Sequence, residues 1–452
     1  MTTGADPAEI AAAVVELVRT GRFAQLPERF APVLRAAVSG ETVQVAWAAQ
    51  ISSSGAVEGV GEPVVGVADA GLVRVSVPVT CEHGGLTVVM SIDEAGLLHG
   101  LRLAPAGGGT WRPPSYAVAA KFTEQEVQVG TGPLAVGGTV GLPRGRGPHP
   151  GVVLLAGGGP FDRDATSGAN KPLKDLAWGL AARGVAVLRF DKVTYTHPHR
   201  TPPDLTMTDE YVPHATAAVH LLQKQENVDA GKVFVLGHSM GGKVAPRVAA
   251  AEPTVAGLIV LAGDAQPMQQ SAVRVVRHLA ALEPGPAAEA AVEAVTRQAA
   301  RVDRADLTRT TPATELPFGL SGAYWLDLRD YDPVATAAAL DRPMLILQGG
   351  RDYQVTVEDD LARWKAGLAH RPDVTIQVYE ADNHLFFPGE GPSTPAEYDP
   401  PQHVDPAVVA AVAGWLAPPG RPTSRPWVTL TAALRRTRIP VRGRRHQGDN
   451  HR

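Results

Sequence analysis

A serine, an aspartate and a histidine in this chain each follow an apolar run, at positions from which they could form a nucleophilic triad. Ser239 lies in GHSMGG after VFVL, Asp352 follows MLILQGGR, and His384 follows IQVYEADN. A serine hydroxyl is a weak nucleophile until a base accepts its proton, and a carboxylate orients that base. Together these three residue types indicate acyl transfer through a covalent acyl-enzyme.

The segment around Ser239 has the spacing G-x-S-x-G, with Gly237 and Gly241 on either side of the nucleophile. This motif needs a buried strand before it and a helix after it, so that a tight turn exposes the hydroxyl. The run VFVLGHSMGGKVAPRVAA supplies that strand, turn and helix. The alternative is a chance match in a chain with 47 glycines, which the strand–turn–helix context disfavours.

The acid and the base are expected in the order serine, acid, histidine along the chain. Asp352 and His384 both follow apolar strands, and ligand sites form where parallel strands present their carboxyl ends. His403 is the rival base, but it lies in a Pro-rich loop with no preceding strand. Asp382 and Glu380 are rival acids, but they lie too close to His384 in sequence to orient it from across the site.

The tetrahedral intermediate of acyl transfer needs two N–H donors aimed at its oxygen. One is predicted to be the amide of Met240, directly after the nucleophile. The other is expected in LLAGGGPFDRD, from Gly158 with Gly157 as the alternative, because glycines let the backbone approach a substrate. A plain strand-end turn remains the alternative reading of this loop. A phosphate cradle does not fit, since the loop lacks both G-x-x-x-x-G-K-[ST] and G-x-G-x-x-G.

Strands alternate with helices over 117–270 and again over 341–417. The apolar strands include GVVLLAG, GVAVLRFD, KVFVLGHS, AGLIVLAG, RPMLILQGG and VTIQVYE, and an early hairpin is predicted from EQEVQVGTG and LAVGGTVGLP. Continuous apolar strands of this kind indicate a parallel sheet covered on both faces, and hence an α/β core. The Ala-rich insertion 271–340 is predicted to form a helical cap above Ser239.

Residues 1–105 have a different pattern, in which helices precede strands. After helical stretches come strand-like runs at Val43–Ile51, Pro63–Val67, Leu72–Cys81, Leu86–Ile92 and Leu97–Leu103. Helices followed by an antiparallel meander indicate a small α+β module. Residues 106–116 are predicted to be a linker, and 418–452 a flexible basic tail with nine arginines and one acid.

Composition excludes several classes of protein. A net charge of −4 gives no sign of nucleic-acid binding, and a single cysteine, Cys81, allows no disulfide within the chain. The N-terminus has no basic segment before its apolar residues, and no run is long enough to span a membrane. We therefore expect a cytoplasmic protein that uses neither a metal nor a cofactor and acts on a small molecule.

Several long blocks resemble a bacterial family of α/β-hydrolase esterases. The resemblance covers about 120–417 and is carried by GGGPFDRDATSGANKPLKDLAWGLAARGVAVLRFDK, LGHSMGG, LPFGLSGAYWLDLRDYDP, PMLILQGGRDYQV and NHLFFPGEGPSTPAEY. It implies the α/β-hydrolase fold and hydrolysis of carboxylic esters by Ser239, Asp352 and His384. Residues 1–105 more loosely resemble the cone-shaped module of ketosteroid-isomerase relatives, which suggests dimerisation, packing against the hydrolase, or ligand binding.

Two features depart from that family. The oxyanion loop begins with Ala156–Gly157 where the family usually has His-Gly, so the side chain that normally braces the loop is missing. The arginine-rich tail is also outside the family pattern, and its composition is typical of a disordered extension.

The cap and the strand ends contain further candidate residues. Phe318, Tyr324 and Trp325 lie close together in LPFGLSGAYWLDL and are predicted to line an apolar substrate pocket; packing of the cap against the body is the alternative. Six charged residues at strand ends are predicted to form a structural ion-pair network: Asp162, Arg163, Asp164, Arg189, Asp191 and Lys192.

Two other functions remain open at the level of sequence. An acyltransferase, thioesterase or lactone-forming cyclase would use the same acyl-enzyme and exclude water. A non-catalytic binding protein of the same fold is disfavoured by the intact triad.

Overall fold

The computed structural model describes residues 6–69, 72–105, 111–198 and 200–417. Residues Met1–Leu416 form one compact unit that contains two sheets. A second unit begins at Ala417. The predicted basic tail, 418–452, lies outside the described residues.

The larger sheet has eight strands and carries the predicted triad. Its spatial order is β13-β12-β11-β10-β8-β9-β7-β6. Strands β6 and β7 form an antiparallel hairpin, and β7 pairs antiparallel with β9. The six strands β8 to β13 are parallel to one another, as the apolar runs predict. The strands are β6 (Phe122–Val129), β7 (Val136–Pro143), β8 (His149–Leu155), β9 (Ala186–Phe190), β10 (Val228–His238), β11 (Leu258–Leu261), β12 (Met344–Gly349) and β13 (Val374–Tyr379).

Helices cover both faces of this sheet, as buried parallel strands require. One face packs against α6, α7 and the helices after β11, and the other packs against α4 and α13. The helices are α4 (Pro172–Ala181), α5 (Val193–Thr196), α6 (Met207–Gln223), α7 (Met240–Ala251), α8 (Met268–Leu282), α9 (Pro286–Asp303), α10 (Gly322–Arg329), α11 (Pro333–Ala338), α12 (Ala362–Leu368) and α13 (Pro406–Leu416).

The predicted insertion between sheet strands is helical. Helices α8 to α11 lie between β11 and β12, and α8 begins at Met268, just before the predicted cap of 271–340. Arg274 on α8 ties this region to the loop after β12, since it donates to the carbonyls of Tyr353 and Gln354 at 3.1 Å and to Asp360 at 2.9 Å.

The smaller sheet is antiparallel and follows the first three helices. Strands β3, β4 and β5 pair in sequence, and both β1 and β2 pair with β3. Their hydrophobic core is shared with the helices. The elements are α1 (Pro7–Arg19), α2 (Pro32–Ala37), α3 (Gly40–Ser54), β1 (Val57–Val60), β2 (Val64–Asp69), β3 (Leu72–Cys81), β4 (Gly84–Asp93) and β5 (Leu98–Pro105).

One predicted strand is wrong. Val43–Ile51 lies within α3, whose N-terminus is capped by the Ser39 side chain accepting from Thr42 N at 3.1 Å. Val43 and Trp47, four residues apart, are both buried on the face that meets the sheet. This i, i+4 spacing is a helical pattern, and the apparent alternation of VQVAW concealed it.

Part of the predicted linker is packed against the larger sheet's helices. Residues 106–110 are outside the described residues, but Trp111 Nε1 donates to Asp175 on α4 at 2.8 Å. Tyr116 donates its hydroxyl to the Val404 carbonyl at 2.8 Å. The segment from 111 onward is therefore held in place by long-range hydrogen bonds.

Candidate active site

Ser239 occupies a strained turn between the end of β10 and the start of α7. Its φ of 55° and ψ of −124° lie where non-glycine residues are rare. The turn is tight because its glycines touch backbone: a Cβ on Gly237 would lie 2.0 Å from the Gly241 carbonyl oxygen. A Cβ on Gly241 would lie 2.5 Å from the carbonyl oxygen of Leu155 in β8. The two glycines thus allow the backbone approach that lifts the half-buried Ser239 above the sheet.

Asp352 and His384 form a buried hydrogen-bonded pair. His384 Nδ1 lies 2.7 Å from Asp352 Oδ2, and both residues are 5% exposed. Since an ionised carboxylate can only accept, Nδ1 carries the proton and Nε2 is left as the basic nitrogen. The sequence prediction that loops after β12 and β13 place these side chains together agrees with this geometry.

The Asp352 carboxylate is saturated with donors besides His384. Its Oδ1 accepts from the backbone N–H groups of Gln354 at 2.8 Å and Val355 at 3.0 Å. Its Oδ2 also accepts from Gln348 Nε2 at 3.1 Å. These bonds fix the position of the carboxylate.

His238 connects the nucleophile turn to the loop of the base. Its Nε2 lies 2.8 Å from the His384 carbonyl oxygen, and the two imidazole rings are 4.8 Å apart. Burial, and then repulsion from His384, lowers the pKa of His238 to about 3. His238 is therefore neutral at physiological pH and donates to this carbonyl, holding His384 beside the residue that precedes Ser239.

The predicted oxyanion donors lie beside the nucleophile. A Cβ on Gly157 would lie 3.3 Å from Ser239 Cβ, and one on Gly158 would lie 3.7 Å from Met240 Cβ. Within the described part of the chain, the N–H groups of Gly158 and Met240 have no hydrogen-bond acceptor. Two unpaired amides next to a serine are what a tetrahedral oxyanion requires.

Comparison with known proteins identifies the family of this chain. A family model described as "Serine aminopeptidase, S33" matches residues 170–390. Esterase EstD of Thermotoga maritima is 35% identical over 335 residues, which cover 74% of this chain and 77% of EstD. The chain belongs to the α/β-hydrolase esterases.

Two further similarities are narrower. The 2,6-dihydropseudooxynicotine hydrolase of Paenarthrobacter nicotinovorans is 31% identical over 124 residues, 27% of this esterase and 31% of that hydrolase. The solved structure of Est1E from Butyrivibrio proteoclasticus matches 64% of this chain and 97% of its own, at 15% identity and a TM-score of 0.41.

The rival triad residues of this esterase have other surroundings. His403 pairs with Asp175 on α4, with Nδ1 3.0 Å from Oδ2. Glu380 makes no hydrogen bond to His384 in the described residues. Asp382 is fully buried, and neither of its carboxylate oxygens has a partner within the described ranges. None of the three replaces Asp352 or His384.

The unpartnered Asp382 carboxyl predicts a pH-dependent stability. Burial, and then the nearby Asp405 carboxylate, raises the pKa of Asp382 from 3.8 to about 7. Between these values the unfolded chain loses the proton that the folded chain keeps, so the free energy of unfolding falls as pH rises. Asp382→Asn should remove this penalty, which reaches up to about 4 kcal/mol above pH 7.

Urea unfolding of both proteins at pH 5 and pH 8 measures this effect. The variant should gain stability over the parent chiefly at pH 8. Asp373→Asn is the control, because pairing with Arg371 lowers the pKa of Asp373 and its loss should cost the same at both pH values. An Asp382→Asn effect that is equal at the two pH values would contradict the assignment.

Two of the three predicted pocket residues are buried in the core. Trp325 is 0% exposed and donates Nε1 to the Pro317 carbonyl, and Tyr324 is 6% exposed and donates its hydroxyl to Glu210 at 2.7 Å. Both pack α10 against the body, which was the alternative to a pocket. Only Phe318 is exposed, at 56%, with a φ of 60°.

Trp325→Ala should therefore destabilise this esterase more than it alters substrate choice. Removing a fully buried Trp from a core costs about 3–5 kcal/mol. Phe318→Ala, at an exposed position, should cost under about 1 kcal/mol. Chemical denaturation of the two variants tests this, and a selective change in acyl-chain preference by Trp325→Ala without loss of stability would restore the pocket role.

Four of the six residues predicted to form an ion-pair network pair with one another beside the oxyanion loop, whereas Asp162 instead accepts from Thr166 N at 2.8 Å. Arg163 pairs with Asp191 at 2.8 Å, and Arg189 pairs with Asp164 at 2.7 Å. These bonds join the loop after β8 to β9 and the segment that follows it. Lys192, predicted to belong to the same network, instead pairs with Glu210 at 3.1 Å.

The sequence reasoning missed residues whose partners are distant along the chain. Gln348 is a polar residue inside the apolar strand MLILQG, and that anomaly was the available signal. His238 occupies a variable position of G-x-S-x-G, and Tyr211, whose hydroxyl donates to the Gly157 carbonyl, lies within a helix. The sequence therefore identified neither as a site residue. Their contacts with the site depend on tertiary packing.

The parts of the chain given above contain no cluster of three or more His, Cys, Asp or Glu side chains arranged to hold a metal ion. In the same ranges, no helix is long and apolar enough to cross a membrane.

Proposed function

We propose that this protein hydrolyses carboxylic esters of small molecules, with Ser239 as nucleophile, His384 as general base and Asp352 as the orienting acid. The observation that carries the proposal is the buried His384–Asp352 pair at 2.7 Å, held by His238 beside a strained Ser239. Kinship with Esterase EstD supports the same reaction class.

The steps follow from the side chains in place. His384 Nε2 accepts the Ser239 proton as Oγ attacks the ester carbonyl carbon, and the carbonyl oxygen becomes an oxyanion. The amides of Met240 and Gly158 stabilise that charge. His384 then protonates the leaving alcohol, the acyl-enzyme forms, and a water molecule activated by the same imidazole releases the acid.

A fluorophosphonate probe followed by peptide mass spectrometry tests the nucleophile. The label should sit on Ser239 and be absent from Ser239→Ala. A panel of ester, thioester and amide substrates, offered with and without a competing alcohol, then identifies the reaction. No labelling of the folded wild type would contradict the triad, and products made only when an alcohol is present would favour acyl transfer over hydrolysis.

We also propose that residues 1–105 form a ketosteroid-isomerase-like module that packs against the hydrolase. Its interior is filled by buried side chains, including Phe30, Met90 and Leu98, each at most 1% exposed. Glu41 on α3 pairs at 3.1 Å with Arg297 on α9, a helix of the predicted cap. Light scattering of the full chain tests the packing role: a monomer supports it, and a stable dimer favours dimerisation instead.

A further inference from the structure

A lysine and a tyrosine meet beneath the oxyanion loop, where the mechanism as described does not use them. Lys192 Nζ lies 3.1 Å from the Gly157 carbonyl oxygen and 2.8 Å from the Tyr211 hydroxyl. Tyr211 donates to the same carbonyl at 2.7 Å and lies 3.1 Å from that of Ala156. Both side chains are nearly inaccessible, Lys192 at 4% and Tyr211 at 2% exposed. A buried cation and a buried hydroxyl thus converge on one backbone carbonyl.

The direction of that carbonyl determines the direction of the next amide. In a planar trans peptide the C=O of one residue and the N–H of the next point in opposite directions. Holding the Gly157 carbonyl toward Lys192 and Tyr211 therefore turns the Gly158 N–H the other way. Glycine backbones rotate freely, so in AGGGP the sequence itself imposes no preference on this peptide.

Lys192 and Tyr211, which we call the carbonyl clamp, are themselves held by a buried acid. Glu210 lies 3.1 Å from Lys192 Nζ and accepts from Thr194 Oγ1 at 2.7 Å. The same carboxylate accepts the Tyr324 hydroxyl of α10. A buried ammonium is tolerated only when paired and hydrogen-bonded, and Glu210 meets that condition.

The carbonyl clamp matters because residue 156, at the start of the oxyanion loop, is an alanine. Its methyl group can make no hydrogen bond, so the strand-end residue cannot brace the loop that follows. Lys192 and Tyr211 support the Gly157 carbonyl from beneath, and they are its donors among the described residues.

We propose that Lys192 and Tyr211 are positioning residues that lock the Gly157–Gly158 peptide with its N–H directed to the oxyanion. The inference rests on the proposed function, because it concerns the geometry of the donor in that reaction. The two side chains touch neither the substrate nor the reacting atoms. Their effect on the rate passes through the orientation of one peptide.

Tyr211→Phe tests this directly, because it deletes one hydroxyl and keeps the ring. We expect kcat to fall about 10- to 100-fold with KM changed by less than about threefold, since loss of one oxyanion donor costs about 10²–10³ in kcat. Tyr116→Phe is the matched control: it deletes a hydroxyl that donates to the Val404 carbonyl and makes no bond to the loop, so kcat should stay within about twofold.

An inhibitor pair separates positioning from a merely structural role. A trifluoromethyl ketone forms a tetrahedral adduct with Ser239 and places an oxyanion in the hole, whereas the matching methyl ketone reports ground-state binding. The ratio of their inhibition constants does not depend on the folded fraction. In Tyr211→Phe the trifluoromethyl ketone should lose affinity by the same factor as kcat, with the methyl ketone unchanged.

A second variant protects the test if Tyr211→Phe folds poorly. Lys192→Met combined with Glu210→Gln removes the other donor without leaving a buried charge alone, and it should shift the inhibitor ratio in the same direction. An unchanged ratio in both variants would overturn the proposal. Failure of the proposed function would look different, because the wild type would then show neither labelling at Ser239 nor ester turnover.

Discussion

Replacing Asp352 with asparagine is expected to lower kcat by about 10³–10⁴ while KM changes little. The carboxylate accepts bonds from two backbone amides, from Gln348 and from His384, so every neighbour is a donor. An asparagine offers one acceptor oxygen and one NH₂ group. If its oxygen faces the backbone amides, its NH₂ group faces Gln348 and His384 Nδ1. The Nδ1 atom must then become an acceptor.

That change of tautomer is what abolishes catalysis. With Nδ1 accepting, the proton moves to Nε2, and the nitrogen that should take the Ser239 proton already carries one. Stability should suffer far less than the rate, because the residue volume is kept. The alternative orientation turns the NH₂ group against the two backbone donors and leaves both amides without an acceptor, so it is less favourable.

Steady-state kinetics on a short ester measures this effect. Asp359→Asn is the control: its carboxylate is seven residues further along, is 41% exposed and pairs with Arg274, so its loss should leave kcat within about twofold. If Asp352→Asn keeps more than about a tenth of the wild-type kcat, another group orients His384 and the triad is assigned wrongly.

The parallel sheet and the triad could be predicted because both depend on local pattern. β8, β10 and β12 contain the apolar runs VVLL, VFVL and MLIL, and glycines follow each run at the edge of the sheet where Ser239 and Asp352 lie. A strand buried on both faces has no other sequence pattern available to it. The motif G-x-S-x-G adds a steric requirement that the two glycines satisfy in the structure.

What could not be predicted depends on contacts between distant segments. Lys192 was grouped with its neighbours in sequence, but its partners are Gly157, Tyr211 and Glu210. The aromatic side chain of Trp325 would suit either a pocket or the core, and only the packing shows that it lies in the core. A side chain's type limits what it can do, and its burial, which tertiary packing sets, decides which of those roles it takes.

The crowding around the nucleophile predicts the second large effect, for Gly241→Ala. The added Cβ would lie 2.5 Å from the Leu155 carbonyl oxygen and 2.6 Å from that of Ala156, both backbone atoms. Backbone cannot move aside as a flexible side chain can, so α7 or the end of β8 must shift. Overpacking of this kind costs about 1–3 kcal/mol and sometimes more.

The same shift should reduce activity, because the displaced atoms belong to the oxyanion loop. The Ala156 carbonyl is bonded to Tyr211, and moving it turns the peptides that hold Gly157 and Gly158. We expect kcat to fall at least about 100-fold in the folded variant.

Gly414→Ala in α13 is the matched control: nothing lies within 4 Å of its added Cβ, and alanine favours a helix over glycine by up to about 1 kcal/mol. Urea unfolding and ester kinetics on both variants measure the two effects. Equal stability and activity in the two variants would mean that the turn around Ser239 has room for a side chain, and the steric basis of the nucleophile's geometry would then be wrong.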